Sequence, residues 1–185
     1  MADILRSALH GAAGGRLQIE EVPGLHYVNL RGDPAAPNVA GAVTDVLKIG
    51  LPLQPNTVGA SETAKVFWLG PDEWLLVSLA QPAAEIVSGL RLSLAGAHSA
   101  VTDVSSGYTT IRLRGTSGRD VLAKGCTLDL HPRVFGQGQC AQTLVAKAPV
   151  LIEALPAANV YQLIVRRSFA DYLWHWLHDA SRWGQ

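Results

Sequence analysis

The last predicted helix carries the side chains with the best potential to bind a metal ion. His175 and His178 are three residues apart and are flanked by Asp171 and Asp179. This spacing puts both imidazoles on one side of a helix, which is geometrically compatible with a zinc site. The same pattern is typical of the solvated side of an amphipathic helix. We favour the solvated interpretation, and the sequence predicts no metal ligand here.

The two cysteines offer a second possible metal site. His131 lies between Cys126 and Cys140, but no Cys-x-x-Cys or closely spaced histidine pair accompanies them. Structural zinc needs four ligands at characteristic spacings, which are missing here. We therefore predict two reduced thiols that are buried or half-buried.

Serine nucleophiles and a phosphate-binding loop are the remaining chemical candidates. Ser61, Ser105 and Ser106 do not stand in a Gly-x-Ser-x-Gly context, and Ser105–Gly107 is typical of a turn. The glycines of Leu113–Gly118 fit neither a dinucleotide fingerprint nor a P-loop, and they favour a helix start. The sequence thus predicts no catalytic or cofactor-binding residue, which favours a structural or binding role.

Five residues are candidates for contact with a partner protein. Three of them, Arg133, Arg166 and Arg167, can bind a carboxylate or lie on a solvated edge. The tryptophans Trp174, Trp176 and Trp183 cannot all face the core, so at least one is predicted to face outward, either as a partner anchor or as an indole packed at the rim. The candidates are Arg133, Arg166, Arg167, Trp174 and Trp183.

The elements that position these residues occur twice along the chain. His26–Gly32 and Thr109–Gly115 both alternate apolar and polar residues, end in Leu-Arg-Gly and lead into a predicted helix. Asp33 is the predicted N-cap of the first helix, with Pro34 as its first residue. Thr116 or Ser117 caps the second helix, which is predicted to stop at Gly125.

Each half then continues with a strand hairpin and a second helix. Apolar strands flank turn sequences in both halves, and the helices are predicted to begin near Pro82 and at a capping box formed by Ser168 and Asp171. The fold class predicted is α+β, with two pseudo-repeated ferredoxin-like (split βαβ) halves packed together and helices on one face of antiparallel sheets. The predicted divisions are an N-terminal extension 1–24 and two halves, 25–95 and 96–185, in one integrated domain. The predicted hairpin strands are Val66–Leu69 with Trp74–Val77, and Val150–Ile152 with Tyr161–Val165.

Composition excludes several classes of function. Fifteen basic and fifteen acidic residues give a net charge of zero, which does not favour a nucleic-acid partner. No apolar run reaches the roughly 18 residues of a membrane span, and the N-terminus lacks a signal-peptide pattern, so we predict a cytoplasmic protein without a membrane contact. Only 16% of the 185 residues are charged, although 48% are hydrophobic. About 25% charged is typical, so we expect part of the surface to be covered by a partner.

Four sequence blocks carry a resemblance to one family, namely Leu69–Leu76, Val101–Gly115, Leu122–Pro132 and Val165–Trp174. The chain is similar to the gamma subunit of heterotetrameric sarcosine oxidase, and more widely to folate-dependent aminomethyltransferases. The resemblance covers most of the chain, from about residue 25 to the end.

The resemblance implies a non-catalytic assembly subunit that works with alpha, beta and delta subunits. Such complexes oxidatively demethylate sarcosine to glycine, produce hydrogen peroxide and pass the one-carbon unit to tetrahydrofolate. Their FAD, FMN, NAD and zinc are expected on the other subunits, so none is assigned to this chain. Two alternatives remain open: a stand-alone folate-binding protein related to aminomethyltransferases, and the equivalent subunit of a complex that oxidises another N-methyl amino acid.

Overall fold

The computed structural model describes residues 17–36, 38–157 and 159–182. In these ranges the chain is α+β, with two antiparallel five-stranded sheets and four α-helices. Most of the predicted N-terminal extension and Trp183 lie outside the described residues. The elements are β1 (Gln18–Glu21), β2 (His26–Gly32), α1 (Val39–Leu47), β3 (Val58–Ala60), β4 (Ala64–Gly70), β5 (Glu73–Ser78), α2 (Ala83–Ser93), β6 (Ser99–Asp103), β7 (Tyr108–Arg114), α3 (Gly118–Ala123), β8 (Cys140–Val145), β9 (Ala148–Ala154), β10 (Val160–Arg166) and α4 (Arg167–Arg182).

The chain forms two compact units. The first unit is Gly24–Ser105, and the second begins at Ser106 and includes the segment that ends at Pro23. The predicted division at 95/96 falls ten residues before this boundary, because β6 pairs with β2 in the sheet of the first unit. The predicted extension also contains β1, which pairs with β7 of the second unit. A strand that joins a distant partner leaves no local signal of its destination in the sequence.

In the first unit, strands in the order β3-β4-β5-β2-β6 carry α1 and α2. The predicted inward positions of β2 are confirmed, since Val28 and Leu30 are fully buried with Trp74 and Leu76 of β5. Tyr27 on the other face is also buried, so the strand is not half-buried as its alternation predicted. The predicted β4–β5 hairpin is also confirmed. In addition, α2 begins just after Pro82, as predicted.

The predicted start of α1 at Asp33 is wrong. The helix begins at Val39, and the Asp33 carboxylate instead accepts a hydrogen bond at 2.9 Å from the backbone N–H of Ala35. An aspartate that bonds its own backbone two residues on forms an Asx turn, which competes with helix capping.

In the second unit, the strand order is β1-β7-β10-β9-β8, and α3 and α4 contribute to the same apolar core. The predicted β9–β10 hairpin is confirmed. The predicted capping box is wrong, because α4 begins at Arg167 and therefore already includes Ser168. Strand β10 runs directly into this helix, so there is no extended residue at position 168 to act as an N-cap. In the described ranges, the helices are too short or too polar to cross a membrane.

Candidate functional site

The arginines predicted to bind a partner lie in two places. Arg166 is the last residue of β10, is exposed, and holds its guanidinium carbon 5.5 Å from the centre of the Tyr108 ring. Arg167 is the half-buried first residue of α4. Arg133 is exposed in the loop between α3 and β8, where its backbone N–H donates to His131 Nδ1 at 3.2 Å. Only Arg166 and Arg167 therefore share one junction of the fold.

The tryptophans of α4 are used mainly for packing. Trp174 is only 6% exposed and lies in the core of the second unit, so it offers little surface to a partner. Trp176 is half-buried against the same core. The proposed role of Trp183 stays a prediction, since this residue is outside the described ranges.

The two histidines of α4 have different surroundings. His175 Nε2 lies 3.3 Å from Asp171 Oδ1, and both side chains are largely exposed. His178 is half-buried, and its ring centre is 4.7 Å from that of Trp174. In the part of the chain that the structure describes, no three His, Cys, Asp or Glu side chains are grouped so that they could hold a metal ion.

Burial lowers the pKa of His178 below its ordinary value of 6.5. The neighbouring Arg182 and His175 lower this pKa further, and Asp179 opposes them. Its Nε2 atom is buried and finds no hydrogen-bond partner among the described residues. The side chain is therefore held as a neutral imidazole beside an indole.

Acidification should destabilise the second unit through His178. The folded pKa lies below the unfolded one, so the unfolded chain binds the proton more tightly, and stability is lost as pH falls below the unfolded value. Urea unfolding at about pH 7.5 and about pH 5.5 should show a smaller pH effect in His178→Phe than in the wild type. His98→Gln, at an exposed histidine of the first unit, is the matched control. An unchanged pH effect in His178→Phe contradicts the assignment.

The serine and cysteine candidates make local structural contacts. Ser105 Oγ donates to Asp103 Oδ1 at 2.6 Å and accepts from the Tyr27 N–H at 3.0 Å, which stabilises a turn. Ser61 Oγ accepts from the Ala64 N–H at 3.2 Å in another turn. Both cysteines are free and buried, as predicted.

A polar row that sequence reasoning missed crosses the sheet of the second unit. Register places Glu20, Arg112, Gln162 and Glu153 side by side on β1, β7, β10 and β9. Their neighbours along each strand, such as Ile111, Leu163 and Ile152, point into the core, so the row occupies the opposite face. The sequence signal for this row was Glu153 in β9 and Gln162 in β10, each a polar residue inside an otherwise apolar run.

Hydrogen bonds connect each member of this polar row to the next one across the sheet. Arg112 Nη1 lies 3.4 Å from Glu20 Oε1. With the amide of Gln162 oriented to suit its neighbours, its oxygen accepts from Arg112 Nη2 at 2.6 Å and its nitrogen donates to Glu153 Oε2 at 3.2 Å. Glu153 and Gln162 are 4% and 8% exposed, so these bonds satisfy groups that are costly to bury alone.

Arg112→Met should lower the free energy of unfolding more than Arg114→Met does. Arg112→Met leaves the Gln162 oxygen without this donor, which we expect to cost about 1–2 kcal/mol of unfolding free energy. Arg114 also contacts Glu20, at 3.2 Å, but is more exposed. Arg114→Met should therefore cost less than about 1 kcal/mol. Chemical denaturation measures both, and equal losses contradict the proposed network.

A groove lies at the surface of the first unit. It has a volume of about 830 Å³ and lies where β2 ends and β6 begins. Its arginine, Arg31, is 3.5 Å from Asp72 and 3.8 Å from Glu73, so the positive charge is already balanced. The groove therefore has no free cation from Arg31 to attract an anionic ligand.

Comparison with known proteins identifies the family. A model of the sarcosine oxidase gamma subunit family matches residues 31–183. The chain belongs to this family. It is 34% identical to the sarcosine oxidase subunit gamma of Corynebacterium sp. strain P-1 over 171 residues, which cover 92% of this chain and 82% of that relative. The subunit gamma of Corynebacterium sp. strain U-96 is also 34% identical, covering 94% and 87% of the two chains. The resemblance seen in the sequence is confirmed.

Solved structures agree with the family assignment. A chain of heterotetrameric sarcosine oxidase from Corynebacterium sp. U-96, in complex with pyrrole 2-carboxylate, matches with a TM-score of 0.83 at 32% identity, covering 91% of this chain and 86% of that one. The glycine cleavage system aminomethyltransferase T of Bartonella henselae matches with a TM-score of 0.64 at 15% identity, covering 97% of this chain and 49% of that one. The second match shows a shared fold alone.

Proposed function

We propose that this chain is the gamma subunit of a heterotetrameric sarcosine oxidase and that it acts in assembly rather than in catalysis. The observation that carries the proposal is the match to a chain of such a heterotetramer, with a TM-score of 0.83 over 91% of this chain. Its partners are then the alpha, beta and delta subunits of the complex.

In this proposal the chemistry belongs to the other subunits. The assembled enzyme oxidatively demethylates sarcosine to glycine, produces hydrogen peroxide and passes the one-carbon unit to tetrahydrofolate. The partner subunits bind the FAD, FMN, NAD and zinc. The complex is located in the cytoplasm. Substrate contacts also lie on the partners, so a complex that oxidises another N-methyl amino acid can use an equivalent subunit.

The use of the polar side chains supports an assembly role. The hydroxyls of Ser61 and Ser105 stabilise turns, and both thiols are buried. The glutamates and the arginine of the polar row bond to one another across the sheet. These groups are therefore committed to holding the fold together.

The finer description of the fold also belongs to this proposal. We infer that the two units are repeats of a ferredoxin-like plan, each with one additional strand. The shared strand order supports this inference: β3-β4-β5-β2-β6 corresponds to β8-β9-β10-β7-β1 when β2 is matched to β7. In this correspondence, β1 takes in the second unit the place that β6 has in the first.

Assays of the purified chain test the assembly role. We expect no hydrogen peroxide when sarcosine is added to the chain alone. We also expect no stabilisation by tetrahydrofolate. A free-standing folate-binding protein instead gains roughly 2.7 kcal/mol when the ligand is at 100 times its dissociation constant. A shift of that size, or turnover by the isolated chain, overturns the proposal.

A further inference from the structure

A row of exposed and half-buried side chains lies at one end of the second unit's sheet. Leu144 of β8 is directly opposite Pro149 of β9, and Arg166 of β10 is directly opposite Tyr108 of β7. Val165 pairs with Val150, so Arg166 and Pro149 are also neighbours in register. We call these four residues the Arg166 row. They lie on the face of the sheet opposite the core.

The apolar part of the Arg166 row is open to solvent. Leu144 is 54% exposed, and Pro149 beside it is also exposed. The next residues on the same face, Leu151 and Ile164, are 7% and 3% exposed. Leu144 and Pro149 therefore form an adjacent pair of exposed apolar side chains. An ordinary surface instead has apolar residues that are scattered singly.

The charge of the Arg166 row is positive and is not balanced locally. Arg166 and Lys147, at the β8–β9 turn, are both exposed, and neither has an ion pair within 4 Å in the described ranges. By contrast, the opposite edge strand, β1, carries Glu20 and Glu21. The row and the turn beside it therefore combine an apolar pair with two cations, Arg166 and Lys147.

Arg166 is held in place before any partner arrives. Its guanidinium lies over the Tyr108 ring at 5.5 Å, within the range of a cation–π contact. A side chain fixed in advance loses less conformational entropy on binding. Arginine and tyrosine are also the residue types that dominate binding energy at protein interfaces.

We propose that the Arg166 row docks another subunit of the complex, and that this subunit presents a carboxylate next to apolar side chains. The inference rests on the proposed function. A second copy of this chain is a poor occupant, because a symmetric contact through the same surface brings like charges together. A carboxylate of a different chain instead pairs with Arg166, and its apolar neighbours cover Leu144 and Pro149.

Binding of this chain to a complex of the alpha, beta and delta subunits tests the inference. We expect Leu144→Asp and Arg166→Glu each to weaken the association by at least about tenfold. The matched controls are Leu92→Asp, at a leucine that is 80% exposed on α2, and Arg182→Glu, at an exposed arginine of α4. Both controls should bind as the wild type does. Arg166→Gln removes the charge alone, and thermal unfolding of each isolated variant confirms that it is folded.

The outcomes separate the two proposals. If the wild type does not bind the other subunits, the proposed function fails and this inference fails with it. If the wild type binds and the Leu144 and Arg166 variants bind equally well, only the docking surface is wrong. Disruption of a homodimer by these variants, with binding to the other subunits unchanged, also overturns the inference.

Discussion

Trp74→Ala should lower the free energy of unfolding by about 3–5 kcal/mol, the largest single effect that we expect in this chain. Trp74 is fully buried on β5, between Leu30 of β2 and Trp68 of β4 in the sheet register. Its indole N–H donates to the Pro52 carbonyl at 2.8 Å. Alanine removes both the apolar contacts and this donor, and leaves a cavity in the middle of the first unit.

Trp74→Phe separates the two contributions of this side chain. Phenylalanine keeps much of the apolar volume but cannot donate to Pro52, so we expect an intermediate loss. Urea denaturation of the three proteins measures the difference. An alanine variant within about 1 kcal/mol of the wild type contradicts the described core.

Gly125→Ala should cost roughly 2–3 kcal/mol, in the upper part of the range for overpacked sites. A Cβ atom at Gly125 meets the Trp176 ring at 2.6 Å and the Ala146 backbone nitrogen at 3.0 Å. The ring is held by the core, and Ala146 is held by its N–H bond to the Gly125 carbonyl at 2.8 Å. The Trp176 ring cannot move aside without losing its packing, and Ala146 cannot move without losing its hydrogen bond.

Gly41→Ala is the matched control for the substitution at Gly125. Gly41 lies inside α1 and has no atom within 4 Å of an added Cβ. We therefore expect alanine there to stabilise the chain by about 0.5–1 kcal/mol. Combining Gly125→Ala with Trp176→Leu should recover part of the loss. Equal effects at the two glycines contradict the close approach of Trp176.

These two sites show how far local patterns predict the fold. The apolar run Trp74–Val77 after a turn sequence predicted a strand, and this strand is found as β5 with Trp74 fully buried. Gly125 was predicted as a helix stop, and α3 does end at Ala123. The constraint on Gly125 that the structure reveals is its contact with Trp176 of α4, which belongs to a distant part of the sequence.

The candidate site was only partly predictable for the same reason. Arg166 could be selected from the sequence by its position at a strand end, but its neighbours Leu144 and Tyr108 depend on strand register. The assignment of Trp174 as a partner anchor had a different difficulty. Trp174 and Trp176 are two residues apart on one helix, about 200° around its axis, so only one of them can lie near the centre of the apolar stripe. The structure places Trp174 deeper than Trp176.

The most direct test of the assembly role is native mass spectrometry of the complex after co-expression of this chain with the alpha, beta and delta subunits. We predict a four-subunit complex that contains this chain and oxidises sarcosine, whereas the chain purified alone shows no turnover. An active sarcosine oxidase that forms fully without this chain, while this chain elutes separately, would contradict the account.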